Sequence, residues 1–106
     1  MVKTMTVKKP LTKSKIIMEL QNHRDNLKKF EVKRIGLFGS YLNGKQTKRS
    51  DIDILVGFNK INFDNYMDLK LYLEKTFKKK VDLVIEEDLK PDLRYVIEEA
   101  AYVKGL

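Results

Sequence analysis

Apolar residues recur along this chain in two rhythms: the 3.6-residue period of a half-buried helix and the short unbroken runs of a buried strand. Residues 1–12 carry neither rhythm and include Pro10. They read as a flexible N-terminal arm, with one domain over residues 13–106. From Thr12 or Ser14 a helical period begins, with Ile16, Ile17, Leu20, Leu27 and Phe30 on one broad face. Thr12 is placed to cap that helix, and Lys28-Lys29 suits its C-terminal dipole. Val32 to Phe38 is a strand that Gly39 ends, and Tyr41 to Gly44 follows as a short helix or turn. The polar run Lys45 to Arg49 crosses the surface, and Ile52 to Phe58 is a second strand. A helix then opens at Asn62 or Asp64 and reaches about Lys78, with Tyr66, Met67, Leu69, Leu73 and Phe77 as its core stripe. Val81 to Ile85 is a third strand, and Glu86-Glu87-Asp88 an acidic loop. Pro91 starts a last helix carrying Leu93, Val96, Ile97 and Ala100-Ala101, closed by Tyr102 and Val103. The order is helix, strand, Gly-Ser turn, strand, helix, strand, helix, which buries its apolar faces as a small sheet covered by helices.

The chemistry concentrates between Ile35 and Val56. A strand puts residues i and i+2 on one face, so Asp51 and Asp53 point together while Ile52 enters the opposite layer. Two carboxylates side by side repel unless a cation or a proton sits between them. Mg²⁺ prefers one or two carboxylates together with waters and substrate phosphates. Gly39-Ser40 supplies backbone N–H groups and a hydroxyl suited to phosphate oxygens. Asp82 interrupts the apolar run of the third strand, and a carboxylate there is costly unless paired, protonated or metal-bound. If that strand lies beside the second, Asp82 joins Asp51 and Asp53; the alternative is an edge-strand Asp facing water. Ser50 either orients Asp51 or caps its loop. His23, the one histidine, reads as a partly exposed helix residue.

Composition narrows the picture. The chain has 106 residues, enough for one domain with its own core. It has no cysteine, so disulfides, zinc-thiolate sites and thiol chemistry are excluded. No segment approaches the roughly 20 apolar residues of a membrane span, and no apolar signal-peptide core follows the basic N-terminus, so a cytoplasmic location is expected. Lys and Arg number 22 against 15 acids, a net charge of +7 that favours polyanions. The same lysines also serve as a solvated surface, and no zinc finger or base-stacking platform accompanies them. Three carboxylates without a site histidine or cysteine point to metal-assisted phosphoryl chemistry. Two Mg²⁺ ions roughly 4 Å apart would bind the triphosphate, activate an acceptor oxygen and stabilise the leaving pyrophosphate.

Gly39-Ser40, ten intervening residues, then Asp51-Ile52-Asp53 resembles the G-S-x10-D-x-D signature of the DNA polymerase beta-like nucleotidyltransferases. The chain's size points to their minimal branch, the antitoxin partners of HEPN proteins. Arg94, Ile97 and Glu99-Ala100-Ala101-Tyr102-Val103 are similar to that branch's tail pattern, with spacing that departs by one residue. The resemblance implies an α+β nucleotidyltransferase fold, a small mixed β-sheet flanked by helices in α-β-α-β-α order. It also implies Asp51, Asp53 and Asp82 as catalytic and metal-binding residues for two Mg²⁺ ions, and Gly39 and Ser40 as nucleotide-binding residues. Many relatives carry Arg-Ala after Gly-Ser where this chain has Tyr41-Leu42; Arg49 or a lysine is then expected to replace the missing arginine contact. The implied activity is transfer of AMP from ATP to a tyrosine of a partner HEPN toxin. The alternatives are a non-catalytic antitoxin that works by binding alone, and nucleotide addition to a nucleic acid.

Overall fold

The computed structural model describes residues 10–106, so most of the expected N-terminal arm lies outside the described residues. The first helix, α1 (Lys13–Asn22), is capped by Thr12, whose hydroxyl accepts from the Lys15 backbone N–H at 3.3 Å. The expected single helix is two, because α1 stops at His23 and α2 (Arg24–Lys29) starts afresh. The break turns the His23 ring onto Tyr72, edge to face, with its Nδ1 hydrogen-bonded to the Tyr72 hydroxyl. Asn26 donates to the same hydroxyl at 2.9 Å. His23 is therefore a partly exposed helix-break residue that ties the first two helices to the fourth.

Four strands form one mixed sheet in the order β3-β2-β1-β4. β1 (Val32–Phe38) runs antiparallel to both β2 (Ile52–Phe58) and β4 (Ala101–Tyr102). β2 is parallel to β3 (Val81–Ile85), an arrangement that needs a long crossover. That crossover is α4 (Phe63–Phe77), N-capped by Asn62 and closed by Lys78 in a left-handed conformation. Between β1 and β2 lies the one-turn helix α3 (Gly39–Asn43). One sheet face carries Ile35, Leu37, Ile52, Ile54, Val56 and Leu83, packed with Ile16, Leu20 and Leu27 from the first helices and Leu69, Leu73 and Phe77 from α4. At about 25 cal/mol per Å² of apolar surface, this layer is the main stabilising term.

The opposite face is built around missing side chains. A Cβ on Gly36 would lie 2.9 Å from the Tyr102 ring, and one on Gly57 would lie 2.7 Å from Glu86 Oε1. Into this trough folds the segment after β3. The expected acidic loop is a 3-10 turn (Glu86–Asp88), and its first residue is buried, at 3 % exposure. Arg34 grips the Glu86 carboxylate through Nη2 at 2.6 Å and Nε at 3.1 Å, and Tyr102 donates its hydroxyl at 2.6 Å. The last helix is correspondingly shorter than its periodicity implies. A 3-10 turn (Pro91–Leu93) precedes α5 (Tyr95–Glu99), and Ala100 turns extended. Ala101 and Tyr102 then pair with β1, and Val103 donates to Ile35 O at 2.9 Å. Backbone pairing with an open strand edge and the bond to Glu86 together outweigh one more helical turn.

Burial pushes the Glu86 carboxyl up, but the bonds from Arg34 and Tyr102 and the Arg34 charge outweigh it and hold it below the usual glutamate range. Burial and the bond to Glu86 push the Tyr102 phenol well above its ordinary value. A carboxyl whose folded value lies below its unfolded one stabilises fully above the unfolded pKa of about 4.3, and loses that contribution as pH falls through the folded value. Arg34 keeps 54 % of its side chain exposed, so this pair contributes less than one wholly removed from water. Glu86→Gln is therefore expected to cost about 2 kcal/mol at neutral pH, less than the 3–5 of a fully buried pair. The difference from wild type in urea denaturation should shrink as pH falls below the unfolded value of about 4.3 and on through the lower folded one. A difference that stays constant with pH would refute the linkage.

Candidate active site

β1 runs antiparallel to β2, and β2 parallel to β3, so the C-terminal end of β1 meets the N-terminal ends of the other two. Across this end of the sheet Phe38 pairs with Asp53, and Asp53 with Asp82. Asp51 stands two residues before Asp53, exposed, at the mouth of β2. Strand β3 is an edge strand and Asp82 faces water, yet its register sets it beside Asp53. Both sequence readings of Asp82 therefore hold at once.

The Gly-Ser turn closes against the same carboxylate. Gly39 has φ of 74°, in the left-handed region, and a Cβ there would lie 2.1 Å from Asp53 Oδ2. The next residue, Ser40, directs its backbone N–H to the Asp53 carboxyl. Gly39 is thus required both for the turn and for the space that Asp53 occupies. Tyr41 turns inward and is buried in the core, with Leu42 packed against it.

Burial, then the charges of Asp82 and Asp51, push the Asp53 carboxyl above its ordinary value, while the Ser40 amide pulls the other way. All three carboxylates thus share one field. Among the described residues no three His, Cys, Asp or Glu side chains are grouped closely enough to hold a metal ion by themselves. The side-chain donors are nevertheless hard oxygen throughout, and the part of the Asp53 shift that comes from its carboxylate neighbours, second to burial, is the kind a divalent cation relieves. Asp53 and Asp82, side by side in register, present oxygen donors of the kind such an ion takes.

Ser50 resolves as a loop cap: its hydroxyl accepts from the Thr47 N–H at 2.9 Å. Arg49 is exposed on the same loop, its backbone N–H bonded to Thr47 Oγ1 at 3.2 Å. The ion pairs among the described residues are His23–Glu19 and Arg34–Glu86, so Arg49 is not paired with the acidic centre. Lys79, in the turn after α4, anchors the loop by donating to Lys48 O at 3.0 Å. Reading the sequence as an acidic loop missed Glu86, whose buried carboxylate holds β4 on the sheet. Its signal was the pair of glycines inside strand runs, Gly36 and Gly57, where a strand glycine marks close approach by another group.

A small mixed sheet with acidic residues and a Gly-Ser turn at one end is a nucleotidyltransferase arrangement. The family described as polymerase beta, nucleotidyltransferase matches residues 13–103, and the chain belongs to it. It is similar to the protein adenylyltransferase MntA of Thermococcus cleftensis, 38 % identical over 88 % of this chain and 97 % of that one. An inferred protein adenylyltransferase of Methanocaldococcus jannaschii is 45 % identical over 83 % of this chain and 93 % of the relative. Among solved structures, a toxin–antitoxin complex with AMP-PNP contains a similar chain, 32 % identical with a TM-score of 0.66, over 91 % of this chain and 75 % of that one.

Contact between Gly39 and Asp53 makes a specific energetic prediction. Gly39→Ala is expected to cost about 1–2 kcal/mol from left-handed strain alone, and more from displacing Asp53. In the Asp53→Ala background the contacts with the carboxyl group are gone and only the 3.0 Å approach to Cβ remains, leaving a coupling of at least about 1 kcal/mol in a urea-denaturation double-mutant cycle. Additive losses would show that the two residues do not meet.

Proposed function

We propose that this chain is a protein adenylyltransferase that moves AMP from ATP to a hydroxyl, a tyrosine of a partner HEPN toxin, and thereby acts as its antitoxin. The observation that carries this reading is the convergence at one sheet end of Gly39 on Asp53 and of Asp53 on Asp82. The adenylyltransferase names of its relatives and the toxin–antitoxin complex with an ATP analogue support it. Asp51, Asp53 and Asp82 are the residues that would hold two divalent cations, Mg²⁺ in the first instance. When bound, these ions supply charge stabilisation for the triphosphate and for the developing pyrophosphate.

The chain's own groups do the rest. Gly39 and Ser40 orient the β- and γ-phosphates through backbone N–H groups and the Ser40 hydroxyl. Asp82, exposed on the sheet edge, accepts the acceptor's proton. The acceptor oxygen bonds to the α-phosphorus, the bond from that phosphorus to the bridging oxygen breaks, and pyrophosphate leaves with its electron pair. Arg49 is the cation of the neighbouring loop, and its exposed side chain is available to the triphosphate.

Incubation with α-labelled ATP, Mg²⁺ and a HEPN-family toxin from the same organism tests the reading. Wild type should label the partner, and Asp51→Asn/Asp53→Asn should reduce labelling at least about 100-fold. Mg²⁺ should also raise the melting temperature of wild type but not of the variant. A stable complex without label would replace catalysis with neutralisation by contact.

A further inference from the structure

A second feature lies along the same strand, away from the three acids. Ile61 and Phe63 are 53 % and 75 % exposed and stand at the mouth of a cavity of about 420 Å³. Its wall includes three consecutive residues of β3, Leu83, Val84 and Ile85. Successive strand residues point to opposite faces, so a cavity touching all three wraps the free edge of β3. Asp82 is the next residue toward the catalytic end, and the groove extends about 10 Å from it at the usual rise per residue.

The edge is already blunted. Tyr66 donates its hydroxyl to Leu83 O at 2.6 Å, and Glu74 accepts from the Val81 N–H at 3.0 Å. An occupant therefore gains little by adding a strand and must be held by its side chains. The groove also has a sign. Asp88 is the one charged residue lining it among the described residues, and burial together with Asp82 and Asp88 pushes the Tyr66 phenol up. On a chain of net charge +7, this patch is apolar and negative. That combination disfavours a triphosphate or a nucleic-acid backbone, and it complements a polypeptide with an apolar anchor beside a basic residue.

We propose that the groove between Phe63 and β3 seats the acceptor segment of the partner protein. An apolar or aromatic side chain enters beside Leu83 and Ile85, a basic neighbour faces Asp88, and the acceptor hydroxyl is delivered along β3 to Asp82. This rests on the protein-adenylylation reading and adds to it where the acceptor docks.

The test uses the full chain, a HEPN-family toxin from the same organism, Mg²⁺ and labelled ATP, with Ile61→Ser/Phe63→Ser and Asp88→Lys as variants. Both variants change exposed side chains, and circular dichroism melts verify that they fold. The double variant should raise KM for the partner at least tenfold and leave KM for ATP unchanged. Asp88→Lys should raise the partner KM severalfold, by a factor that shrinks with added salt. An unchanged partner KM overturns the proposal. An equal shift in the ATP KM assigns the groove to the nucleotide, and Phe63-dependent self-association of the chain alone assigns it to a second copy. If wild type labels nothing, adenylylation fails on its own, and the groove is judged by the partner's dissociation constant. A tenfold weakening in the double variant keeps the docking site, whereas equal constants or no binding remove it.

Discussion

Negative charge drawn together at one end of a small sheet is the constraint on which the rest of the structure depends. Asp53 is the focus of that crowding, with Asp82 beside it in register, Asp51 just ahead of its strand, and Gly39 so close that no side chain fits between. Such a cluster persists in a marginally stable fold only if the scaffold beneath it does not yield. The scaffold is the central strand β2, buried at Ile52, Ile54, Leu55 and Val56, with hydrogen-bonded neighbours on both sides. The acids stand at the exposed mouth of the most securely held element in the chain. Burial and the neighbouring charges together raise the Asp53 carboxyl, and the Gly-Ser turn closes directly against it.

The two faces of the sheet divide the work. One is apolar and closed by α1, α2 and α4, and it supplies the stability. The other is hollowed by Gly36 and Gly57 and occupied by Glu86 and Tyr102, so its chemistry is polar and specific. Arg34, Glu86 and Tyr102 lie on β1, after β3 and on β4, so one small network ties both edges of the sheet to its centre. A buried carboxylate is costly to keep, and here it is kept by a bidentate guanidinium and a phenol. The consequence is a C-terminal segment held on the sheet by hydrogen bonds rather than by a long helix.

Edge strands invite unwanted pairing, and this fold manages its two edges differently. β4 is two residues long, too short to template another chain. β3 has its outward groups partly taken by Tyr66 and Glu74 from α4, yet it stays apolar and accessible beside the acidic centre. An enzyme acting on a large acceptor needs such an approach, because its hydroxyl must arrive from outside the cradle that holds the phosphates.

Local pattern carried a great deal. The runs Val32–Phe38, Ile52–Phe58 and Val81–Ile85, the stripe on α4 and its Asn62 cap are consequences of near-neighbour spacing, and all were legible in the chain. The expected shared strand face of Asp51 and Asp53 meets a strand that begins only at Ile52, which leaves Asp51 just ahead of it. The break at His23, the burial of Glu86 and the exchange of a last helical turn for β4 were not legible, because each depends on a partner far along the chain: Tyr72, Arg34 and the open edge of β1. Asp82 stands between the two cases. Its sequence shows a carboxylate in an apolar strand, but only the parallel register of β3 on β2 decides that it faces Asp53. Periodicity determines which way a side chain points, whereas its neighbour across the sheet is set by pairing between distant segments, and that belongs to the tertiary structure alone.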